Sequence, residues 1–401
     1  MSATIAADDD RRAKANVLRL AIAVALGGAN ASAIFAIGGI LGAQMASDPG
    51  LATVPISVFV VGMAAGTLPS GQIARLYGRR IAFIAGTGCG VFSGLVGALA
   101  VVVNSFALFC LATFLSGLYA AVAQSYRFAA ADGTSPAFRP KAVSWVMAGG
   151  VFAGVLGPQL VTFTMNAWPP YVFAASLVAQ AAVALVAMAV VAQVDLPKPT
   201  AIDTANARPL AQIIVKPAFM IAALCSVIAY GLMNLVMTSA PLAMKFCGFV
   251  ASDSNFVIQW HVVAMYLPSF FTGSLILRFG ARVVVALGLT VIASAALLDL
   301  TGITLAHFTF GLVLLGMGWN FGFVGASALV LEAHRPSERA KVQAFNDFLV
   351  FGTMAVGSFS SGQLLAVYGW GSVNWVVFPP VVAALGVLAL AGRRGPFMIE
   401  K

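Results

Sequence analysis

GQIARLYGRR, residues 71 to 80, decides how the rest of this chain is read, because it returns later as GSLILRFGAR, residues 273 to 282. Both segments open on a glycine, carry a hydrophobe two residues on, end in an aromatic–glycine pair and close on an arginine. Self-similarity at fixed spacing marks a repeated structural unit. Each copy follows an apolar stretch long enough to cross a bilayer. Twelve such stretches run at roughly 17–43, 52–74, 79–102, 105–130, 140–163, 168–192, 216–243, 252–276, 282–302, 305–331, 340–366 and 370–392. The copies follow the second and the eighth. The longest polar break, QVDLPKPTAIDTANARP (193–209), divides the stretches six and six. The expected organisation is a six-helix bundle over 1–192, a cytoplasmic linker over 193–215 and a second six-helix bundle over 216–401.

Composition points the same way. The chain is 61% hydrophobic and 9% charged over 401 residues, which no soluble core requires. Forty glycines suit helices that must approach closely in lipid. The N-terminal MSATIAADDDRRAKANVLRL runs straight into an apolar span too long for a signal peptide, and reads as a cytosolic tail. All of the 22 Lys and Arg except Lys245 fall on alternate connections, which places both termini in the cytoplasm. The net charge of +9 is therefore topology and not a nucleic-acid surface. An enzyme is not expected, since no nucleophile–base pair, carboxylate dyad or nucleotide loop is present.

With these features on the page, the chain resembles the major facilitator superfamily, whose motif between helices 2 and 3 is G-x-L-A-D-R-x-G-R-[RK]. Gly71, Ile73, Ala74, Gly78, Arg79 and Arg80 match it. Arg75 and Leu76 stand where the family has Asp-Arg. GVFAGVLGP (150–158) is similar to the glycine-rich helix 5 of the same superfamily. The resemblance implies an all-α polytopic protein of two six-helix bundles that opens alternately to each side, with substrate near the midplane. It also implies gating roles for Gly71, Gly78, Arg79 and Arg80 and for their repeat counterparts Gly273, Arg278, Gly280 and Arg282.

None of the thirteen acids lies mid-span; Asp347 is just inside the cytoplasmic end of the eleventh stretch and Asp299 near the far end of the ninth. Arg127, late in the fourth, is close enough to the cytoplasm to snorkel. What the seventh and eighth stretches carry is soft donors. Met233 and Met237 are one turn apart, as are His261 and Met265, with Cys225 two turns before Met233. The short connection makes the two helices antiparallel neighbours, so Met237 matches His261 in depth and Met233 matches Met265. Thioethers with one imidazole select Cu(I), whereas Zn(II) would want thiolates or more imidazoles. Taken singly, each Met reads as packing filler and His261 as a histidine hydrogen-bonded to a neighbouring helix. Met63 precedes Gly71 as Met265 precedes Gly273, and is its repeat counterpart; Phe59 corresponds to His261.

The M-x-x-x-M and H-x-x-x-M pair, with QWHVVAMYLPSFFTG, GMGWNFGFVGAS and NDFLVFGTMAVGS, resembles the CcoA-type copper importers of this superfamily. That resemblance implies import of copper across the bacterial inner membrane for assembly of cbb3-type cytochrome c oxidase. Copper is then substrate rather than resident cofactor, exchanged with copper-carrier proteins on either side. Met233, Met237, His261 and Met265 form its path. The thiols of Cys225 and Cys247, and more weakly Cys89 and Cys110, are secondary candidates with Met63. Two other readings compete. One is a facilitator for a neutral or aromatic solute such as riboflavin, stacked on Trp319, Phe321 and Phe323. The other is a membrane thiol or copper relay that does not transport.

Overall fold

The computed structural model of the protein describes residues 2–48, 51, 54–132, 134–196 and 208–393. Among these residues every regular element is helical: α1 (Ser2–Met45), α2 (Val54–Tyr77), α3 (Arg79–Val102), α4 (Phe106–Ala131), α5 (Arg139–Ala148), α6 (Gly150–Thr164), α7 (Ala174–Val191), α8 (Leu210–Ile214), α9 (Pro217–Phe246), α10 (Ala251–Tyr266), α11 (Ser269–Phe279), α12 (Ala281–Thr301), α13 (Leu305–Glu332), α14 (Arg339–Trp375) and α15 (Phe378–Arg393). Ten stretches are long and apolar enough to span a membrane, and α10 with α11, bent by 41°, forms an eleventh. The fold is the all-α polytopic one expected. The twelve apolar stretches lie on these helices, with one late start. Trp168-Pro169-Pro170 lies in a turn, because two prolines lack the donors a helix needs, and α7 begins only after Phe173. Much of the expected linker, 197–207, lies outside the described residues.

The chain forms two compact units. One comprises 1–136, 145–206 and 343–351; the other 137–144, 207–342 and 352–401. In the first, α4 is the hub, packed against α1, α2 and α3. In the second, α13 holds the same place against α9, α10 and α12. The repeated loop motif ends its helix by the same backbone device in both. Gly78 (φ 93°) separates α2 from α3, and Gly280 (φ 83°) separates α11 from α12. L side chains rarely adopt that conformation, so glycine is required there.

The repeat extends to the helix crossings. A Cβ on Gly117 of α4 would lie 2.1 Å from the Phe59 carbonyl oxygen and 2.8 Å from the Met63 nitrogen. A Cβ on Gly316 of α13 would lie 2.6 Å from the His261 carbonyl oxygen and 2.9 Å from the Met265 nitrogen. Backbone therefore rests on backbone at equivalent positions, which lipid-embedded helices use in place of a hydrophobic driving force. Gly352, by contrast, has no atom of the described residues within 4 Å of a Cβ. Replacing Gly117 or Gly316 with Ala should cost about 1–3 kcal/mol by overpacking. Thermal unfolding of the purified protein should show a lowered midpoint for both and little change for Gly352→Ala.

Candidate functional site

Trp319 sits on α13, fully buried, at the centre of three other rings. Tyr230 of α9 meets it edge-on at 5.4 Å, Tyr266 of α10 edge-on at 5.5 Å, and Phe323, one turn along α13, stacks at 5.3 Å. Edge-to-face pairs at this spacing are favourable beyond the area they bury. The cluster thus fastens α9 and α10 to the same hub. Among the described residues the indole Nε1 of Trp319 has no hydrogen-bond partner.

Beside Trp319, Asn320 holds the break between α10 and α11. Its Nδ2 donates to the Met265 carbonyl and to Ser269 Oγ, both at 2.6 Å, and its Oδ1 accepts from Thr272 Oγ1 at 2.7 Å. The helix breaks at Leu267 and Pro268, and a carbonyl freed by such a break at membrane depth must find another donor. The Asn320 amide is that donor for Met265. Ser144 of α5 closes the same network. Its hydroxyl donates to the Ser269 carbonyl and accepts from the Gly273 N–H at 2.9 Å, so the first glycine of the second loop motif is pinned.

The sequence-selected soft donors are distributed differently from the ladder expected of them. His261 is fully buried, with Nδ1 2.7 Å from the Leu312 carbonyl of α13 and Nε2 without a partner among the described residues. Met265 and Met233 are buried, Met237 is half-buried and Cys225 is fully buried. The matched depths presumed that α9 and α10 lie side by side. Instead α13 packs extensively against both, while α9 and α10 touch little. Covalent succession does not make them the closest-packed pair. Met63 is buried on α2 against Gly117. Cys89 and Cys110 are half-buried, Cys247 is exposed, and all four cysteines are free. Among the described residues no three His, Cys, Asp or Glu side chains gather as a metal-holding group.

In the other unit, two buried arginines are ion-paired. Arg79 of the first loop motif reaches Asp132 Oδ2 through Nε and Gln343 Oε1 through Nη2, each at 2.5 Å. Arg75, where the family motif has Asp, is exposed. Arg127 does not snorkel to the cytoplasm: it is fully buried, with Nη2 2.5 Å from Asp347 Oδ1, which also accepts from Asn346. Both members were visible in the sequence as lone charges near helix ends; nothing there paired residues so far apart. In the second loop motif Arg278 lies over the Phe279 ring and Arg282 donates to the Ala391 carbonyl at 3.4 Å. Outside the spans, Arg208 grips Glu338 with two contacts of 2.6 and 2.8 Å. Burial of Glu338 favours its neutral form, but the hydrogen bonds and charge of Arg208, with the Arg335 N–H, outweigh it and hold the carboxyl down at about 2.

The family model described as "Major Facilitator Superfamily" matches residues 20–259. The chain belongs to the major facilitator superfamily. It is 44% identical to the riboflavin transporter RfnT of Brucella anthropi, over 95% of this chain and 97% of that protein. It is 30% identical to an uncharacterised MFS-type transporter, YddS of Bacillus subtilis, over 85% and 82% of the two chains. The fold is shared with a proton:xylose symporter at a TM-score of 0.76 and 13% identity, covering 95% and 96%. The protein is a multi-pass membrane transporter, not an enzyme. These relatives overturn two expectations. The CcoA-type resemblance is not supported, and copper import gives way to the likeness to a riboflavin transporter. The physical reason is that thioethers at helical spacing are ordinary gap-fillers in a helical interior, and His261 is the histidine hydrogen-bonded to a neighbouring helix.

The buried Arg127–Asp347 ion pair makes a sharp test of the packing within the first unit. Asp347→Asn leaves the Arg127 guanidinium buried without its counter-charge and should destabilise the protein by about 3–5 kcal/mol. The thermal midpoint of purified protein should fall, and Arg127→Met with Asp347→Asn should recover part of the loss. An Asp347→Asn protein as stable as wild type contradicts the assignment.

Proposed function

We propose that the chain carries riboflavin, or a solute with a closely similar flat ring system, across the bacterial inner membrane by alternating access, with both termini cytoplasmic. The observation that carries this reading is 44% identity over 95% of the chain to a riboflavin transporter. The ring cluster of Tyr230, Tyr266, Trp319 and Phe323 supports it, since flat conjugated ligands stack on such side chains. Two buried ring nitrogens without partners among the described residues, His261 Nε2 and Trp319 Nε1, are suited to the polar edge of such a ligand. Gly71, Gly78, Arg79 and Arg80 in one loop, and Gly273, Arg278, Gly280 and Arg282 in the other, take part in the changeover between states. The basic residues on alternate connections support that orientation.

Uptake of labelled riboflavin by a riboflavin-requiring bacterium expressing the chain tests the reading. Excess unlabelled riboflavin should compete and copper should not. Tyr266→Ala should lower uptake roughly 5- to 150-fold, the equivalent of one stacking contact at about 1–3 kcal/mol. Uptake no higher than in cells without the protein contradicts the proposal.

A further inference from the structure

His261 and Phe59 hold equivalent places in the two copies of the repeat, and both are buried. The carbonyl of each lies against a glycine of the hub helix, Phe59 at Gly117 and His261 at Gly316. In the first unit an apolar ring meets every packing need of this crossing. The imidazole of the second unit adds what packing does not ask for, two ring nitrogens inside a membrane span.

One of those nitrogens is accounted for. Nδ1 lies 2.7 Å from the Leu312 carbonyl, and a carbonyl only accepts, so Nδ1 carries the proton. In the neutral ring Nε2 then has a lone pair and no hydrogen. It is an acceptor, and among the described residues nothing donates to it. Side-chain donors of the helices around it are spent elsewhere. Thr238 and Ser239 of α9 and Thr309 of α13 donate to carbonyls of their own helices. Asn320 donates to the Met265 carbonyl and to Ser269. A buried acceptor left in this condition costs more than its hydrogen bond is worth when made.

The acceptor shares its pair of helices with the ring cluster. His261 meets α13 at Leu312, Gly316 follows one turn on, and Trp319 stands on the same face. Leu312 and Trp319 are about 10 Å apart along the helix axis. Tyr266, five residues after His261, meets Trp319 edge-on and is the half-buried ring of the cluster. A flat ligand of three fused rings stacked at Tyr266 is long enough to bring one edge to His261.

We propose that His261 Nε2 accepts a hydrogen bond from the substrate and so selects solutes that carry an N–H or O–H at that edge. This rests on the transport reading above. A site built around a buried acceptor rejects an analogue that lacks the donor, because the acceptor is then left unpaired. Riboflavin offers two kinds of donor, the imide N–H of its ring system and the hydroxyls of its side chain. Methylation at the imide nitrogen removes the first; lumiflavin lacks the second.

Binding of riboflavin and of these two analogues to the purified protein, followed by flavin fluorescence, tests the assignment. Wild type should bind one analogue about 5- to 150-fold more weakly than riboflavin, and which one identifies the donor. His261→Phe places in the second unit the ring that the first already holds. It should weaken riboflavin binding by a similar factor and abolish the preference over that analogue. His261→Gln, whose side-chain oxygen accepts, should restore part of the preference. In protein with labelled histidine, nitrogen NMR should find His261 protonated at Nδ1, and riboflavin should move the Nε2 signal. An unchanged preference in His261→Phe, a ring protonated at Nε2 alone, or an Nε2 signal that bound riboflavin leaves in place overturns the proposal. The last two results decide it even where His261→Phe does not fold. Riboflavin bound without preference over either analogue overturns this proposal alone, whereas no riboflavin binding to wild type removes the substrate reading and this proposal with it.

Discussion

At Gly117 and Gly316 one helix backbone lies directly on another, close enough that even a methyl group would collide. Lipid offers helices no hydrophobic reason to associate, so the contact itself has to hold them. Each glycine belongs to the hub helix of its unit, α4 or α13, and the groups with chemical interest project from those same two helices. Arg127 rises from α4; Trp319, Asn320 and Phe323 rise from α13. The close crossings leave these polar and aromatic side chains buried among several helices at once. Their partners are then fixed by backbone geometry, as when the Asn320 amide takes up the carbonyl released beside Pro268.

Much of this was legible in the amino-acid order. The recurring GQIARLYGRR and GSLILRFGAR told of duplication, and both motif glycines adopt the left-handed conformation that only glycine takes freely. The correspondence of Met63 with Met265, and of Phe59 with His261, reappears atom for atom in the contacts of Gly117 and Gly316. Spans were legible because hydrocarbon imposes their length. Partners were not. Equal-depth arithmetic between α9 and α10 assumes that successive helices touch, and α13, arriving later in the chain, displaces that contact. Asp347 and Arg127 are separated by 220 residues, a distance over which periodicity says nothing. Of the aromatic trio, Trp319 and Phe323 joined the cluster, whereas Phe321 lies near Phe271, and Tyr230 and Tyr266 went unselected because single tyrosines carry no spacing signal.

The copper reading illustrates a general hazard. Sulfur and imidazole in hydrocarbon suggest a soft-metal path, yet the same side chains fill gaps and satisfy stray carbonyls. His261 does the second, through Leu312. Ligand softness ranks metals once a ligand set exists; it does not establish that the set exists. Asp299 shows the converse. The sequence placed it near the far end of its stretch, and only the structure shows an acid 2% exposed whose carboxyl oxygens have no hydrogen-bond partner among the described residues.

The account stands on a flat aromatic solute binding beside Trp319. Flavin fluorescence titrated with the purified protein measures that directly. Saturable quenching that copper does not reverse, and that weakens in Trp319→Leu, is the predicted result. Fluorescence unaffected by folded wild-type protein would contradict it.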